Sequence, residues 1–340
     1  MSGNGSFRHA NCSILSVVAV EAPVVVPSAA FDARLAGTYE RVGMRAGMLE
    51  KLAGVEERRW WPADVSFTDA AAMAGAKALA ESGIDASQIG VMINTAVSRA
   101  YLEPSTAAAV HHQLDLPSGC LNFDLANACL GFINAIQLAG TMIDAGQAEY
   151  ALIVDAEGSR YTQELTLQRL ATETATATDI RNQFATLTLG SGAAAMVLGP
   201  ADRHPGGHRI IGGVSRAGTE HHDLCVGDLE RMRTDSRKLF DAGIALAVDT
   251  WRDAVDEFDW NSIDWFIAHQ TSVAHIAAMA KRLEVDVARF PMTLPHFGNM
   301  GPAAVPFTLA RHVDAIRSGD RVVLLGIGSG LNTSFAEIEW

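Results

Sequence analysis

The chain has 340 residues, of which 49% are hydrophobic and 19% are charged. This length predicts two packed units or one large duplicated fold. The formal net charge is −13 and the 26 lysines and arginines form no run, which argues against nucleic-acid binding. No apolar run reaches the roughly 18 residues of a membrane-spanning helix, and residues 1–9 are polar. Cys12, Cys120, Cys129 and Cys225 have no C-x-x-C spacing, so we expect a reduced, cytoplasmic protein without a structural metal site.

In chain order, short β-branched runs alternate with Ala-rich stretches that carry apolar residues at helical spacing. This alternation predicts α/β architecture. Strands are predicted at residues 13–19, 90–95, 150–155, 193–198, 265–268 and 321–325. Helices are predicted at residues 68–82, 106–114, 130–145, 239–258, 272–283 and 302–318.

Two stretches of the chain repeat one another. Residues 132–159 read as a helix, a buried strand and Glu-Gly-Ser, and residues 305–330 as a helix, a strand and Gly-Ser-Gly. Residues 90–95 similarly echo residues 264–269. A duplicated fold is the simplest explanation, with halves at residues 1–200 and 201–340, although two unrelated α/β units could look alike by chance.

Cys129 is the first candidate for chemistry. It follows an apolar segment and precedes a helix predicted from about Leu130, so its thiol faces the free N–H groups and the positive dipole end of that helix. Such a position favours the thiolate and therefore nucleophilicity. The small neighbours Ala128 and Gly131 leave room for a substrate. An inert buried thiol is the alternative.

His269 and Asn299 are the other two candidates. His269 stands where a predicted strand ends, the place where open α/β sheets carry their sites, but a structural imidazole fits as well. Asn299 lies between Gly298 and Met300-Gly301 in a loop bounded by Gly and Pro. Such a loop suits either a turn with positive φ or close approach of a substrate.

Together, the motifs at residues 127–132, 268–270, 298–301 and 326–330 resemble, in order and spacing, the condensing enzymes of the thiolase superfamily. The chain resembles the β-ketoacyl synthase III branch and, within it, the OleA-type enzymes that join two fatty acyl-CoA molecules head to head. The resemblance implies an α/β thiolase fold, in which two pseudo-repeated halves form five layers, αβαβα.

The resemblance also implies roles for the candidate residues. Cys129 carries the acyl group, and His269 and Asn299 stabilise the enolate of the second acyl-CoA. We expect the oxyanion hole to consist of the backbone N–H groups of Cys129 and Ser329. Condensing two ordinary acyl thioesters requires a base for the α-proton. The resemblance assigns that role to Glu103, which is donated across a homodimer interface, whereas a plain loop residue before Pro104 is the local alternative.

The predicted function is therefore a non-decarboxylative Claisen condensation of long-chain acyl-CoA. Its β-ketoacyl product, a β-keto acid, would serve olefin or β-lactone type biosynthesis, with downstream pathway enzymes as possible partners. The CoA thioesters are substrates, so no cofactor is expected. Two alternatives remain: a decarboxylative synthase III or acyltransferase that uses a malonyl thioester, and a non-catalytic partner subunit of a heterodimer.

The contacts to CoA are not assigned by the resemblance, since residues 37–61 align poorly with the family. Arg58 and Arg59, before Trp60 and Trp61, are candidates for a local basic patch. A solvated loop with one packed Trp is the alternative. Apolar residues 107–110 and 130–136 could line acyl tunnels or simply pack in the core.

Overall fold

The computed structural model describes residues 5–228 and 230–340, so residues 1–4 of the polar N-terminal stretch lie outside it. The strands are β1 (Ser6–Arg8), β2 (Ser13–Glu21), β3 (Val24–Pro27), β4 (Glu57–Trp60), β5 (Ile89–Asn94), β6 (Leu121–Asp124), β7 (Tyr150–Glu157), β8 (Gly192–Gly199), β9 (His208–Ala217), β10 (Cys225–Gly227), β11 (Met232–Thr234), β12 (Trp265–Ala268), β13 (Arg321–Gly328) and β14 (Asn332–Glu339). The α-helices are α1 (Ser28–Val42), α2 (Phe67–Ser82), α3 (Thr106–Gln113), α4 (Gly131–Asp144), α5 (Arg160–Leu170), α6 (Ala177–Leu187), α7 (Ser236–Phe258), α8 (Val273–Arg282), α9 (Leu294–Phe297) and α10 (Ala304–Ala310).

Most strands join one mixed sheet, in the order β12-β13-β14-β9-β2-β8-β7-β5-β6, with β1 paired to β9. Within it, β5 is parallel to β6 and β7, and β12 is parallel to β13. Strands β2 and β9 join through a short register, with Ser13 opposite Arg209 and Ile14 opposite His208. The sheet therefore divides into two parts, each with its own parallel pair, that meet along this short contact.

Helices and hydrophobic cores complete five layers. On one outer face, α2 packs on β2, β7 and β8. Between the two parts of the sheet lie α4, against β7, β8 and β14, and α10, against β2, β8, β12 and β13. On the other outer face, α7 packs on β9 and β14, with α8 beside it. The order helix, sheet, helix, sheet, helix confirms the predicted fold class.

Local sequence explains where several helices begin. Ser66 and Asp69 form a capping box at the start of α2, in which each side chain accepts the other residue's backbone N–H. Ser105 and Ser272 cap α3 and α8 in the simpler way, by accepting one N–H of the first turn. Strands β7 and β8 are buried along their whole length. Helices cover both faces of these strands, which explains why β8 and residues 151–154 of β7 are apolar.

All six predicted strands are present, as β2, β5, β7, β8, β12 and β13, and five of the predicted helices are present, as α2, α3, α4, α7 and α8. The helix predicted at residues 302–318 is wrong in length, because α10 ends at Ala310. The His312 ring nitrogen Nδ1 hydrogen-bonds to the Thr308 carbonyl oxygen at 2.8 Å. A continuing α-helix would give that oxygen to the His312 backbone N–H, which instead donates to Leu309 at 3.0 Å.

The prediction also left out α1, α5, α6, β9 and β14. Strands β9 and β14 pair along most of their length and form the middle of the sheet, next to β2 and β13.

Over the described ranges, none of the helices combines the length and the apolar character that crossing a membrane requires.

Candidate active site

Cys129 lies in the turn between β6 and α4. Ala128 has a φ of +44°, a left-handed conformation that is costly for a residue with a side chain. The side chain of Asn127 stabilises the turn, because its Nδ2 donates to Asn134 Oδ1 at 2.7 Å and its Oδ1 accepts from Asn332 Nδ2 at 3.2 Å. The turn holds Cys129 half-buried just before α4.

The end of β13 packs against this turn. A Cβ atom added to Gly328 would lie 3.1 Å from the backbone nitrogen of Cys129 and 3.4 Å from the carbonyl oxygen of Asn127. Ser329, which follows Gly328, is half-buried. The two residues predicted to supply the oxyanion hole, Cys129 and Ser329, therefore belong to adjoining segments of backbone.

His269 directly follows β12, and its backbone N–H donates to Leu325 on the neighbouring β13 at 2.8 Å. Its side chain is buried. Burial and the nearby His275 lower the pKa of His269 to about 3, although a hydrogen bond with the Gly301 backbone acts in the opposite direction. Among the described residues, no group hydrogen-bonds to its Nδ1. The imidazole is therefore neutral at neutral pH, with one ring nitrogen unpaired.

Backbone contacts with the segment before β8 fix Asn299. Its N–H donates to the Thr188 carbonyl oxygen at 2.8 Å, and its own carbonyl oxygen accepts from the Gly190 N–H at 2.8 Å. Gly298 has a φ of +71°, and a Cβ atom at Gly190 would meet a backbone oxygen at 1.7 Å. Both positions therefore require glycine. The two chain segments interlock, and Asn299 projects from them half-buried.

Gly301 connects the candidate groups. Its N–H donates to Asn299 Oδ1 at 3.0 Å, which leaves the Asn299 side-chain NH₂ as a donor, and its backbone hydrogen-bonds to the His269 ring. A Cβ atom at Gly301 would lie 3.4 Å from the carboxyl carbon of Glu157. The Glu157 charge in turn acts on the Cys129 thiol. The structure thus brings Cys129, His269 and Asn299 to one region, at the carboxyl ends of β7, β12 and β13.

Two buried carboxylates at the end of β7, Asp155 and Glu157, were not predicted as part of the site. Glu157 accepts the backbone N–H of Val97 at 2.6 Å, and the N–H and hydroxyl of Ser98 at 3.2 and 2.5 Å. Asp155 accepts the Thr95 hydroxyl at 2.5 Å. Burial raises the pKa of Glu157 to about 7, and burial together with the Glu157 charge raises the pKa of Asp155.

The prediction that the start of α4 favours a Cys129 thiolate was wrong. Burial raises the pKa of this thiol above its usual range, and the neighbouring Cys225, Glu157 and Asp155 raise it further. Loss of hydration therefore outweighs the helix terminus at this position. Cys129 rests as a neutral thiol.

Glu103 lies in the loop of residues 95–105, which connects β5 to α3 and is called the β5–α3 loop below. Its side chain is exposed in the single chain, and Glu103 is not among the charged groups that act on the Cys129 thiol. The preceding residues Tyr101 and Leu102 are 72% and 91% exposed. The single chain therefore places this carboxylate in solvent, beside two large exposed side chains.

The prediction that Arg58 contributes to a basic patch was wrong. The guanidinium is buried within the fold, where it donates to the Val26 and Leu187 carbonyl oxygens and to the Ser28 hydroxyl, at 3.0–3.2 Å. It also lies 4.4 Å above the ring centroid of Phe31. With these contacts, Arg58 holds β3 and α1 against the end of α6 and is closed to an anionic ligand.

Arg59 and Trp61 also make contacts within the protein. Arg59 pairs with Glu57 at 2.9 Å, and its side chain is only 18% exposed. Trp61 is buried and donates its indole N–H to the Glu157 carbonyl oxygen at 2.9 Å. The alternative of a solvated loop is wrong too, because the segment up to Trp60 forms the strand β4.

Two family models match this chain. The model of 3-oxoacyl-[acyl-carrier-protein] synthase III matches residues 123–166, and the model of its C-terminal part matches residues 255–340. An acyl-CoA:acyl-CoA alkyltransferase from Xanthomonas campestris pv. campestris is 43% identical, over 97% of this chain and 99% of that protein. One of the same name from Shewanella oneidensis is 32% identical, over 98% of this chain and 100% of that protein.

The fold is shared with solved structures as well. A cysteine-to-serine variant of Xanthomonas campestris OleA, with bound lauric acid and lauroyl-CoA, matches with a TM-score of 0.96 and 42% identity, over 98% of this chain and 100% of that one. The fold and these similarities define a condensing enzyme of the thiolase superfamily, which acts as an acyltransferase. More closely, the chain belongs to the family of OleA-type acyl-CoA:acyl-CoA alkyltransferases.

Proposed function

We propose that this protein condenses two long-chain fatty acyl-CoA molecules without loss of carbon dioxide, through an acyl group carried on Cys129. The proposal is carried by the presence of this thiol, a neutral imidazole, His269, and an oriented amide, Asn299, in one region of the structure. It is supported by the name of the Xanthomonas relative, acyl-CoA:acyl-CoA alkyltransferase, which gives acyl-CoA as both substrates, and by the lauroyl-CoA bound to OleA. The β-ketoacyl-CoA formed is then hydrolysed: water attacks the thioester carbonyl, CoA leaves, and the resulting β-keto acid serves olefin or β-lactone type biosynthesis.

In the first half-reaction, the Cys129 sulfur attacks the thioester carbonyl carbon of one acyl-CoA. The bond from that carbon to the CoA sulfur breaks, and the thiol proton leaves on CoA. The raised pKa of Cys129 suits a thiol that gives up its proton during the attack rather than before it. The backbone N–H groups of Cys129 and Ser329 hold the oxyanion, and one such donor is worth roughly 10²–10³ in rate in other enzymes.

In the second half-reaction, His269 and Asn299 donate hydrogen bonds to the thioester oxygen of another acyl-CoA. The low pKa of His269 keeps the ring neutral, so the ring stabilises the enolate through its one N–H and not as a cation. For this step the N–H turns from the Gly301 backbone carbonyl to the thioester oxygen. Glu103 removes the α-proton. The enolate carbon then attacks the acyl carbon on Cys129, the bond to the sulfur breaks, and the sulfur takes back a proton.

We propose that Glu103 reaches this site from the second subunit of a homodimer. Its exposure beside Tyr101 and Leu102 supports an interface at the β5–α3 loop. Adjacent large apolar side chains exposed to water often mark a surface that binds another protein. Strand β6 ends the sheet next to this loop, and its Leu121 is 51% exposed. An unpaired edge of this kind suits pairing with a second copy.

The proposed function is tested with lauroyl-CoA as the sole substrate. We expect released CoA, a lauroyl adduct on Cys129 in the intact-mass spectrum, and a β-keto acid in the organic extract. Cys129→Ala should abolish all three. Cys225→Ser is the matched control, since it removes the neighbouring half-buried thiol, and it should keep the adduct. An adduct that moves to another residue, or CoA release that survives Cys129→Ala, would rule out the proposed carrier.

One alternative keeps support from the family models, which describe a 3-oxoacyl synthase III. Such an enzyme forms its carbanion by loss of carbon dioxide and needs a malonyl thioester. Product formed from lauroyl-CoA alone excludes this requirement, and product formed only after malonyl thioester is added would establish it. The adduct on Cys129 equally excludes a non-catalytic partner subunit.

We further propose that the chain works as two thiolase halves, residues 1–200 and 201–340, in the cytoplasm. The first half carries Cys129 and Glu103, and the second carries His269, Asn299 and Ser329. The short register between β2 and β9 supports a boundary at this point of the chain.

A further inference from the structure

Glu157 makes contacts that the mechanism above does not use. It is the last residue of β7 and its side chain is buried, yet it is directed at the β5–α3 loop instead of being paired with a cation. Building on the function proposed above, we propose that Glu157 is a positioning residue for the condensation step, which holds the β5–α3 loop so that Glu103 projects from a fixed base.

The first observation concerns the loop. Val97 and Ser98 donate three hydrogen bonds to the Glu157 carboxylate, at 2.5–3.2 Å. Residues 100–104 are all exposed, and the chain is held again at Ser105, which caps α3. Glu157 is therefore the last side-chain anchor that the structure gives this loop before its exposed part, and the position of Glu103 depends on it.

The second observation concerns the other side of the carboxylate. A Cβ atom at Gly301 would lie 3.4 Å from its carboxyl carbon and 3.5 Å from its Oε1. Gly301 is the residue that orients Asn299 and hydrogen-bonds to His269. The Glu157 side chain thus lies between the turn of the reaction centre and the loop that carries the proposed base. The turn packs on one side of the carboxyl group, and the loop donates hydrogen bonds to it.

The chemistry of the contact explains why this residue is a carboxylate. All three groups of the loop that contact Glu157 donate to it, and an ionised carboxylate accepts on both oxygens without itself donating. An amide of the same shape would turn its NH₂ group towards one of these backbone N–H groups and leave that N–H without its acceptor. Asp155 lies on the same strand but contacts Thr95 instead of Val97 or Ser98. Thr95 is the first residue of the loop, and its backbone N–H already donates to Val154 on β7 at 3.0 Å. Asp155→Asn therefore changes the neighbouring buried carboxyl group and leaves the contacts of Val97 and Ser98 in place, which makes it the control.

Charged and titratable groups on every side set the state of Glu157. Its charge raises the pKa of Asp155 and of the Cys129 thiol, and Arg99 in the loop lowers the pKa of Glu157 itself. The neutral His269 is linked to it through Gly301. The pKa of Glu157 is about 7, so the anchoring form is lost as pH falls through this value. Condensation should fall with it, since a protonated oxygen becomes a donor that faces other donors.

The test compares Glu157→Gln with Asp155→Asn, and measures acylation of Cys129 and formation of β-keto acid separately with lauroyl-CoA. We expect Glu157→Gln to keep acylation within about twofold and to lose condensation about 10-fold to 100-fold, the scale of a misplaced catalytic group. In this variant, the rate of condensation should also no longer decrease as the pH drops below 7. Asp155→Asn should leave the ratio of condensation to acylation at the wild-type value.

Ser98→Ala approaches the same contact from the loop and keeps the proposal testable if Glu157→Gln does not fold. We expect it to lower the condensation-to-acylation ratio in the same direction by a smaller factor. Equal loss of both steps, or an unchanged ratio in both loop-contact variants, would overturn the positioning role. A wild-type protein that makes no β-keto acid would instead overturn the proposed function, so the two failures are distinct.

Discussion

The turn of residues 298–301 and the β5–α3 loop are held in opposite ways. The turn interlocks with the segment at residues 188–190 through backbone hydrogen bonds and has no freedom at Gly298. The loop is anchored at its two ends and exposed between them. Under the function proposed above, the difference separates the two half-reactions: the groups for acylation lie within one chain, whereas the proposed base lies on a segment that is exposed in that chain and would gain its surroundings from a second subunit.

Substitution of Glu103 should divide the two half-reactions most strongly. We expect Glu103→Ala to keep acylation of Cys129 within about twofold and to lower condensation by roughly 10²–10⁴, the usual contribution of a general base. Single-turnover CoA release and product analysis measure the two steps. Glu164→Ala, an exposed glutamate on α5, is the matched control and should change neither. Equal loss of both steps would assign Glu103 a structural role.

The burial of His269 beside the turn of residues 298–301 should appear in the pH dependence of the unfolding free energy. His269 has an unfolded pKa near 6.5 and a folded pKa of about 3, so the unfolded state binds more protons and stability is lost as pH falls below 6.5. His269→Asn removes this term. Between pH 7.5 and 4.5, the variant should lose about 3 kcal/mol less unfolding free energy than the wild type.

Urea unfolding at the two pH values measures this difference. Glu157 acts in the opposite direction, because its pKa is raised to about 7 and its contribution improves as pH falls towards 4.5. Since Glu157 is present in both proteins, its effect cancels in the comparison. Parallel pH profiles for wild type and His269→Asn would show that the ring is not held neutral by burial.

The interlocked turn can be broken at Gly190. A Cβ atom there would meet a backbone oxygen at 1.7 Å, so Gly190→Ala should cost about 1–3 kcal/mol of unfolding free energy and displace Asn299. Condensation should fall further than acylation. Gly206→Ala, where an added Cβ atom meets nothing within 4 Å, is the control and should match the wild type. Thermal unfolding together with the two activity assays checks both effects.

The exposed loop can be probed at Leu102. We expect Leu102→Asp to weaken self-association by about tenfold or more, since a charge would replace an apolar side chain at the proposed interface. Leu52→Asp is the matched control, because Leu52 is also exposed, at 56%, but belongs to another surface. Analytical ultracentrifugation over a range of concentrations compares the two. Equal association of both variants with the wild type would place the interface elsewhere.

Much of this structure was predictable because local and periodic signals specify it. The alternation of β-branched and Ala-rich segments predicted α/β architecture. The resemblance of the motifs to the thiolase superfamily predicted the five layers, and it led us to expect that the Cys129 turn and residues 326–330 lie together. The end of α10 was not predictable, because it depends on the contact of the His312 side chain with a carbonyl of the preceding turn.

The site was predicted only in part, for a related reason. Cys129, His269 and Asn299 stand in short motifs, whereas Asp155 and Glu157 end an apolar strand and become significant only through what packs on them. Acidic residues two positions apart point to the same face of a strand, and this pattern could have drawn attention to them. The raised pKa of the thiol and the burial of Arg58 depend on tertiary packing, which the local sequence does not contain.

The most direct measurement combines two inactive subunits. A heterodimer of Cys129→Ala and Glu103→Ala chains, purified through two different affinity tags, has one site in which an intact thiol faces an intact glutamate from the other subunit. If the loop completes the partner's site, this heterodimer makes β-keto acid from lauroyl-CoA while each parent homodimer does not. A purified heterodimer as inactive in condensation as its parents would contradict the account.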